Sequence, residues 1–508
     1  MEAIVETRSG RVRGLEIEGA QVFRGIPYAE PPLASLRFAP PQPVKVWTGT
    51  RDATNFGPSA PQNEMMLAAL PGFQVSGQSE DCLYLNVYSP RADAGRRPVM
   101  VWIHGGAFLI GSGSQSLYDG LPLALRGNVV VVTINYRLGA LGFLRLDDLG
   151  ASPLNATGNA GFLDQIAALR WVQENIAAFG GDPSQVTIFG ESAGGMSVGT
   201  LLGTPAAKGL FQRAIAQSGA AHNVHDRESA ARIATLFLQE VGLSRDQVGK
   251  LREIPVAKLL EAQVQTLLKG QNAASLLGFQ PVVDGDALPA PPLEAVRAGL
   301  AGEVPLLLGT TRDEWKLFAF MDPKLRELDY AGVVKRLEAR LDAGKGRNSS
   351  QAQRMVDAYL REGKEWTAAD LFTAIETDRL FRLPAVRLAE AQHAHCDQVY
   401  MYLLTWESPA LDGKLGACHA IDLPFVFGTL ETPGMEGFAG KGPAAQRLME
   451  TMMDAWLAFA RRGDPSHPGL GSWDRYTPER RATMSLGERC ELVDAPGEAL
   501  CRVWDGIL

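Results

Sequence analysis

Short, nearly continuous apolar runs alternate with helix-like periodicity through the first half of the chain. Pro98 to His104 (PVMVWIH) and Val129 to Ile134 (VVVVTI) are rich in β-branched residues, the pattern of strands buried on both faces. From Leu163 to Phe179 apolar residues recur at helical spacing (Leu163, Ile166, Ala167, Leu169, Trp171, Ile176, Ala177), and Gly180 and Gly181 then supply a glycine stop. Gln185 to Phe189 (QVTIF) and Arg213 to Gln217 (RAIAQ) read as the next two strands. Strand, helix, strand at this spacing predicts an α/β fold with a mostly parallel sheet flanked by helices. Farther on, Asp226 to Leu268 and Lys324 to Gln392 are mainly helical. Strand-like pieces are expected at Gln280 to Val283, Val304 to Leu308 and Gln398 to Leu404, and an amphipathic helix at Ala444 to Arg462.

The chain of 508 residues is 46 % hydrophobic and 21 % charged, which excludes fibrous and disordered classes. Length alone suggests about three domains. No repeat and no long linker divides the sequence, however, so one domain over 1–508, enlarged by the two helical insertions, is the expected organisation. The net charge of −8 argues against a nucleic-acid partner. No apolar run approaches the roughly 18 residues of a membrane span, and the N-terminus MEAIVETRSG lacks the apolar core of a signal peptide. A cytoplasmic protein without a membrane partner is expected; oligomeric state is not legible. Five cysteines (Cys82, Cys396, Cys418, Cys490, Cys501) are too few for a disulfide scaffold.

Gly190-Glu191-Ser192-Ala193-Gly194 matches G-x-S-x-G, the turn that exposes a nucleophilic serine between a strand and a helix. A second copy, Gly195 to Gly199, overlaps it. Ser192 directly follows the strand QVTIF and opens a helix, whereas Ser197 falls inside that helix and reads as structural. Upstream, His104-Gly105-Gly106-Ala107 ends the strand PVMVWIH. A glycine turn there lets backbone N–H groups approach a substrate oxyanion, so Gly105, Gly106 and Ala193 are the expected donors. Serine nucleophiles of this type take their acid and then their base from later in the chain. His222 and His225 leave too little chain for an acid-bearing strand. His393, His395 and Cys396 mimic a metal cluster without a second pair at ligand spacing. His467 lies in a glycine–proline turn, while His419, in the loop GACHAIDLPFVFG after the strand QVYMYLL, stands where the base belongs. Asp313 and Glu314 both follow the strand VPLLLG, and pattern alone does not choose between them.

These motifs, together with FRGIPYAEPP (23–32), EDCLYLNVY (80–88), NYRLGALGFL (135–144), GNAGFLDQ (158–165) and FARRGDP (459–465), resemble the type B carboxylesterase family, the cholinesterase and para-nitrobenzyl esterase group. The resemblance implies the α/β-hydrolase fold and hydrolysis of a small-molecule carboxylic ester, without metal or organic cofactor. It selects Glu314 as the acid and His419 as the base, pairs Arg37 with Glu80 and Arg137 with Asp164, and places Glu191 and Ser218 in a buried polar layer behind the site. Three departures stand out. Ala60 occupies the position where the family carries the disulfide partner of Cys82, as expected in a reducing compartment. Trp315 follows Glu314 where glycine is usual, so either a reshaped pocket wall or an altered loop backbone is expected. The stretch Pro71 to Ser79 lacks the tryptophan that stacks on choline. Leu67, Leu70, Phe73, Phe318, Phe320 and Met321 suit an uncharged apolar substrate. Amide or lactone hydrolysis by the same residues, and a non-catalytic adhesion role, are the alternatives.

Overall fold

In the computed structural model, which describes residues 2–63, 72–75, 77–149, 154–270, 277–341, 349–362 and 365–507, the apolar runs become the middle of one thirteen-stranded sheet. In chain order the strands are β1 (Glu2–Thr7), β2 (Gly10–Ile17), β3 (Ala20–Pro27), β4 (Thr50–Asp52), β5 (Tyr84–Ser89), β6 (Arg97–Ile103) and β7 (Val130–Ile134). They continue with β8 (Gly181–Glu191), β9 (Arg213–Gln217), β10 (Leu306–Thr311), β11 (Val399–Leu404), β12 (Ala482–Leu486) and β13 (Glu491–Asp494). Across the sheet the order is β1-β2-β3-β5-β7-β6-β8-β9-β10-β11-β12-β13, with β4 beside β2. From β7 to β12 all neighbours are parallel, while the other pairs are antiparallel except β4, which runs parallel to β2.

The continuous apolar runs follow from burial on both faces. Val99, Val101 and Ile103 of β6 enter one core with Ile166, Leu169 and Val172 of the helix Ala160–Asn175. Met100 and Trp102, on the opposite face, join Met452 and Trp456 of the helix Pro443–Arg462. Helices occupy Arg227–Glu240, Arg245–Arg252 (3-10) and Val256–Gly270 in the first insertion. In the second they occupy Tyr330–Leu341, Ser349–Leu360, Ala368–Thr377 and Leu383–His393. That second group builds its own small core around Val333, Leu337, Met355, Tyr359, Leu371 and Trp504. Among the described residues no helix is long and apolar enough to cross a membrane.

Two expected elements differ. Gln280 to Val283 forms no strand; it makes only a single bridge, Val282 to His225. Asn159 satisfies both backbone groups of Val282 with its side-chain amide, at 2.8 Å each, so no ladder is needed there. The helix expected from Leu163 starts earlier, at Ala160, and its last turn tightens to a 3-10 helix, Ile176–Phe179, before Gly180 reverses the chain at φ 82°.

Both expected ion pairs form. Arg37 bridges Glu80 and also donates through Nη1 to the carbonyls of Leu251, Arg252 and Ile254, tying the first insertion to the loops that precede β4 and β5. Arg137 and Asp164 are buried, and Asp164 accepts from Arg137 Nε (2.8 Å), Nη2 (2.7 Å) and backbone N–H (3.0 Å). Removing one partner of such a pair strands a buried charge. Asp164→Ala is therefore expected to cost about 3–5 kcal/mol, read as a lower midpoint in urea unfolding; an unchanged midpoint contradicts this role.

Candidate active site

Strand β8 ends in Gly190 and Glu191, and the helix Ala193–Leu202 begins one residue after Ser192. Ser192 makes the turn alone, at φ 55° and ψ −123°, a conformation rarely tolerated by a residue with a Cβ. Its N–H donates to the Gln217 carbonyl (2.9 Å) and its carbonyl accepts from Met196 N–H (2.8 Å). The flanking glycines are required by contact. A Cβ on Gly190 would lie 2.5 Å from the Gly194 carbonyl carbon and 2.7 Å from the Ile103 oxygen, and one on Gly194 would run into the Ile103 carbonyl. Ser197 is structural, as its position inside the helix implies: its hydroxyl donates to the Ala193 carbonyl (2.8 Å) and accepts from Gln165 (3.0 Å).

Strand β6 delivers His104, Gly105 and Gly106 beside this turn. A Cβ on Gly105 would stand 3.0 Å from Ser192 Cβ and 2.7 Å from the Glu191 carbonyl. Gly106 has φ 110°, and its carbonyl accepts from Leu109 and Ile110 (2.9 and 3.0 Å). His104 holds the turn from below: its Nδ1–H donates to the Gly105 carbonyl (2.8 Å) and its ring stacks on Tyr136 at 4.5 Å. Burial presses the His104 pKa down to about 4, so it stays neutral. The N–H groups of Gly105 and Gly106 have no acceptor among the described residues. That of Ala193 lies in the first turn of its helix, where no intrahelical acceptor exists. Three donors thus remain available around Ser192.

The candidate acid and base, Glu314 and His419, follow the strands β10 and β11. After β10, Asp313 and Glu314 divide the work that the sequence left undecided. Glu314, fully buried, accepts from His419 Nδ1–H at 2.6 Å and from Thr311 N–H at 2.8 Å. Asp313 accepts from Ala417 N–H at 2.9 Å and so clamps the loop that carries His419. Trp315 does not disturb this arrangement. Its N–H donates to Thr377 Oγ1 (3.0 Å), and its buried ring packs on Phe318 with centroids 4.8 Å apart. Phe318 and Phe381 in turn flank the His419 ring at 5.1 and 4.9 Å. Of the other expected pocket residues, Phe320 is exposed, Phe73 is partly buried against the second core, and Leu67 and Leu70 lie outside the described residues.

Glu191 reaches the far side of the imidazole, with Oε1 3.1 Å from His419 Nε2, but off the line of a ring N–H, so no hydrogen bond forms. Burial raises the Glu191 pKa to about 8, against the pull of His419. Burial works against the charged form of His419 too, yet Glu191 and Glu314 outweigh it and lift His419 to about 9. A third carboxylate, Asp422, is raised by burial to about 6; it accepts from Gln217 Nε2 (2.7 Å) and Tyr402 hydroxyl (3.3 Å), while Trp456 donates to the other end of Gln217 (3.0 Å). Asp422 and Phe381 were not singled out in the sequence. Asp422 follows His419 by three residues in HAID, a signal within reach, whereas Phe381 comes from the distant insertion. Ser218 is buried at φ 48° with its N–H on the Gly309 carbonyl (2.8 Å), but its hydroxyl makes no direct bond to Glu191.

A parallel sheet presenting a strained serine, a carboxylate-anchored histidine and free N–H groups at its strand ends has the α/β-hydrolase fold and the layout of a serine hydrolase. The chain belongs to the carboxylesterase family, whose model matches residues 1–504. It is 42 % identical over 495 residues to the para-nitrobenzyl esterase of Bacillus subtilis (97 % of this chain, 96 % of that one). It is 36 % identical over 497 residues to a phenmedipham hydrolase of Pseudarthrobacter oxydans (96 and 95 % covered). The crystal structure of a Geobacillus stearothermophilus carboxylesterase, EST55, superposes with a TM-score of 0.88 at 42 % identity, covering 99 % of both chains. A structure of a PNB esterase superposes with a TM-score of 0.86 at 39 % identity, covering 99 % of this chain and all of that one. The protein is a carboxylic ester hydrolase, and these relatives do not favour the amidase, lactonase or adhesion alternatives.

The charges around His419 give a direct prediction. Its imidazole titration, followed by NMR, has a midpoint above the ordinary value of about 6.5, and Glu191→Gln moves that midpoint down because one of the two raising carboxylates is gone. A midpoint that Glu191→Gln leaves in place contradicts this assignment.

Proposed function

We propose that the enzyme hydrolyses small to medium, uncharged, apolar esters through an acyl-enzyme on Ser192, with His419 as general base and Glu314 as its orienting acid. The observation that carries this reading is the 2.6 Å bond from His419 Nδ1–H to the buried carboxylate of Glu314. It fixes the tautomer in which Nε2 is free to accept the serine proton. In the reaction Ser192 Oγ attacks the ester carbonyl as His419 Nε2 takes its proton. The developing oxyanion is held by the N–H groups of Gly105, Gly106 and Ala193, in a set where losing one donor typically costs about 10²–10³ in rate. His419 then protonates the leaving alcohol, and a water deprotonated by the same nitrogen releases the acid. Glu191, beside Nε2, and Glu314 favour the imidazolium that forms in each half of the cycle. The aromatic faces of Phe318 and Phe381 against His419 support the preference for apolar groups.

The sheet draws strands from both ends of the chain, β1 and β13, which supports a single catalytic domain over 1–508. The five free cysteines, Cys82 among them, support a reducing, cytoplasmic location.

Incubation with an organophosphonate probe should give one adduct by intact mass, absent in Ser192→Ala, whose kcat falls by about 10⁴–10⁶. No adduct on the wild-type chain overturns the assignment. Because only neutral His419 accepts a proton, kcat/KM for a nitrophenyl ester falls as pH drops through the His419 pKa. A rate that stays flat down to about pH 4 rules His419 out as the base.

A further inference from the structure

Trp315 directly follows Glu314 and opens the short helix Trp315–Phe320, on which it shares a face with Phe318 three residues on. It reaches the aromatic surroundings of His419 by two routes. Its indole packs on the Phe318 ring, with centroids 4.8 Å apart and planes at 33°, and Phe318 in turn lies 5.1 Å from the imidazole. Its backbone N–H donates to Thr377 Oγ1 (3.0 Å), one residue before the π-helical turn Asp378–Arg382 that carries Phe381. The Phe318 and Phe381 rings are nearly parallel, at 13° with centroids 6.1 Å apart, and they stand at 45° and 47° to His419.

Burial separates the parts these rings play. Trp315 and Phe381 are each 3 % exposed, whereas Phe318 is only partly buried. Phe318 is therefore the ring of this group that an incoming substituent can touch, and the indole fills the space into which Phe318 would otherwise turn. Interiors are packed densely enough that a ring backed in this way stays in one orientation. The polar end of Trp315 adds nothing to the arrangement: its indole N–H is buried with no acceptor among the described residues. An unpaired buried donor is a cost, so what the residue supplies at this position is ring volume.

We infer that Trp315 determines specificity in ester hydrolysis: by holding Phe318 against His419, it limits the bulk of the apolar ester substituent that fits beside the imidazole. The inference rests on the reading of His419 as the base that serves Ser192. Because it acts through Phe318, Trp315 is a positioning residue. Trimming the indole leaves a space into which Phe318 retreats, and the site widens where bulk is now excluded. One methylene in an apolar pocket is worth about 10–200-fold in kcat/KM, so the setting of a single phenyl ring suffices to fix the preferred substituent size.

The test measures kcat/KM on two ester series, nitrophenyl esters of rising acyl length and acetates of rising alcohol size. In Trp315→Ala the preference for large over small members should rise by about tenfold or more in one series, which identifies the substituent beside Phe318. Trp315→Phe, which keeps a ring and removes the unpaired N–H, should retain the wild-type preference. Phe318→Ala should shift the same series as Trp315→Ala, and combining the two should add nothing further. An unchanged preference in both series, an equal change in both, or additive effects in the double variant overturns the proposal. So does an unchanged preference in Phe318→Ala, which carries the test should Trp315→Ala fail to fold. Failure of the catalytic reading shows separately, as a wild-type chain that forms no phosphonate adduct at Ser192.

Discussion

A serine at the end of a strand buried on both faces is presented beyond the strand ends only if the chain reverses within a single residue, and the candidate site is arranged around that reversal. Ser192 holds it at φ 55° and ψ −123°, a conformation that costs about 1–3 kcal/mol. The cost is sustained because Gly190 and Gly194 pack directly on the Ile103 carbonyl, locking β8 to β6. Ile103 is also the last residue before His104 and Gly105. The contact that forces the turn at Ser192 therefore also fixes where the Gly105-Gly106 turn begins. Neither feature can shift without the other, since both hang on two adjacent buried strands.

Charge is organised by the same economy of space. Three buried carboxylates, Glu191, Glu314 and Asp422, surround one imidazole, each satisfied differently. Glu314 is bonded to a backbone N–H and to His419. Asp422 is bonded to Gln217 and Tyr402. Glu191 lies near Nε2 without a hydrogen bond, and burial raises its pKa against the pull of His419. In a medium of low dielectric these groups act strongly on His419. A cation at that ring is the state they favour, and it is the state that serine attack would generate in the proposed reaction.

Much of this was legible in the sequence, for identifiable reasons. Parallel strands buried on both faces leave unbroken apolar runs, so β6 to β9 could be read directly. The antiparallel strands β1 to β3 were not, because GRVRGLEI and AQVFRGIP mix polar and glycine positions among the buried ones. The turn residues of the site carry local signatures in glycine and could be placed by pattern. Local pattern does not choose Glu314 over Asp313, since both stand at one strand end; the family resemblance selects Glu314, and the fold puts its carboxylate on the imidazole and that of Asp313 on the Ala417 backbone. Phe381 escaped notice for the same reason: its contact with His419 is made by an insertion packing back over the sheet, and nothing local encodes it.

The measurement that bears most directly on the account is a crystal structure of the enzyme after reaction with a phosphonate ester. The phosphorus should be bonded to Ser192 Oγ, with the phosphoryl oxygen within hydrogen-bonding distance of the N–H groups of Gly105, Gly106 and Ala193. A phosphoryl oxygen turned away from those three groups, or an adduct on any other residue, would contradict it.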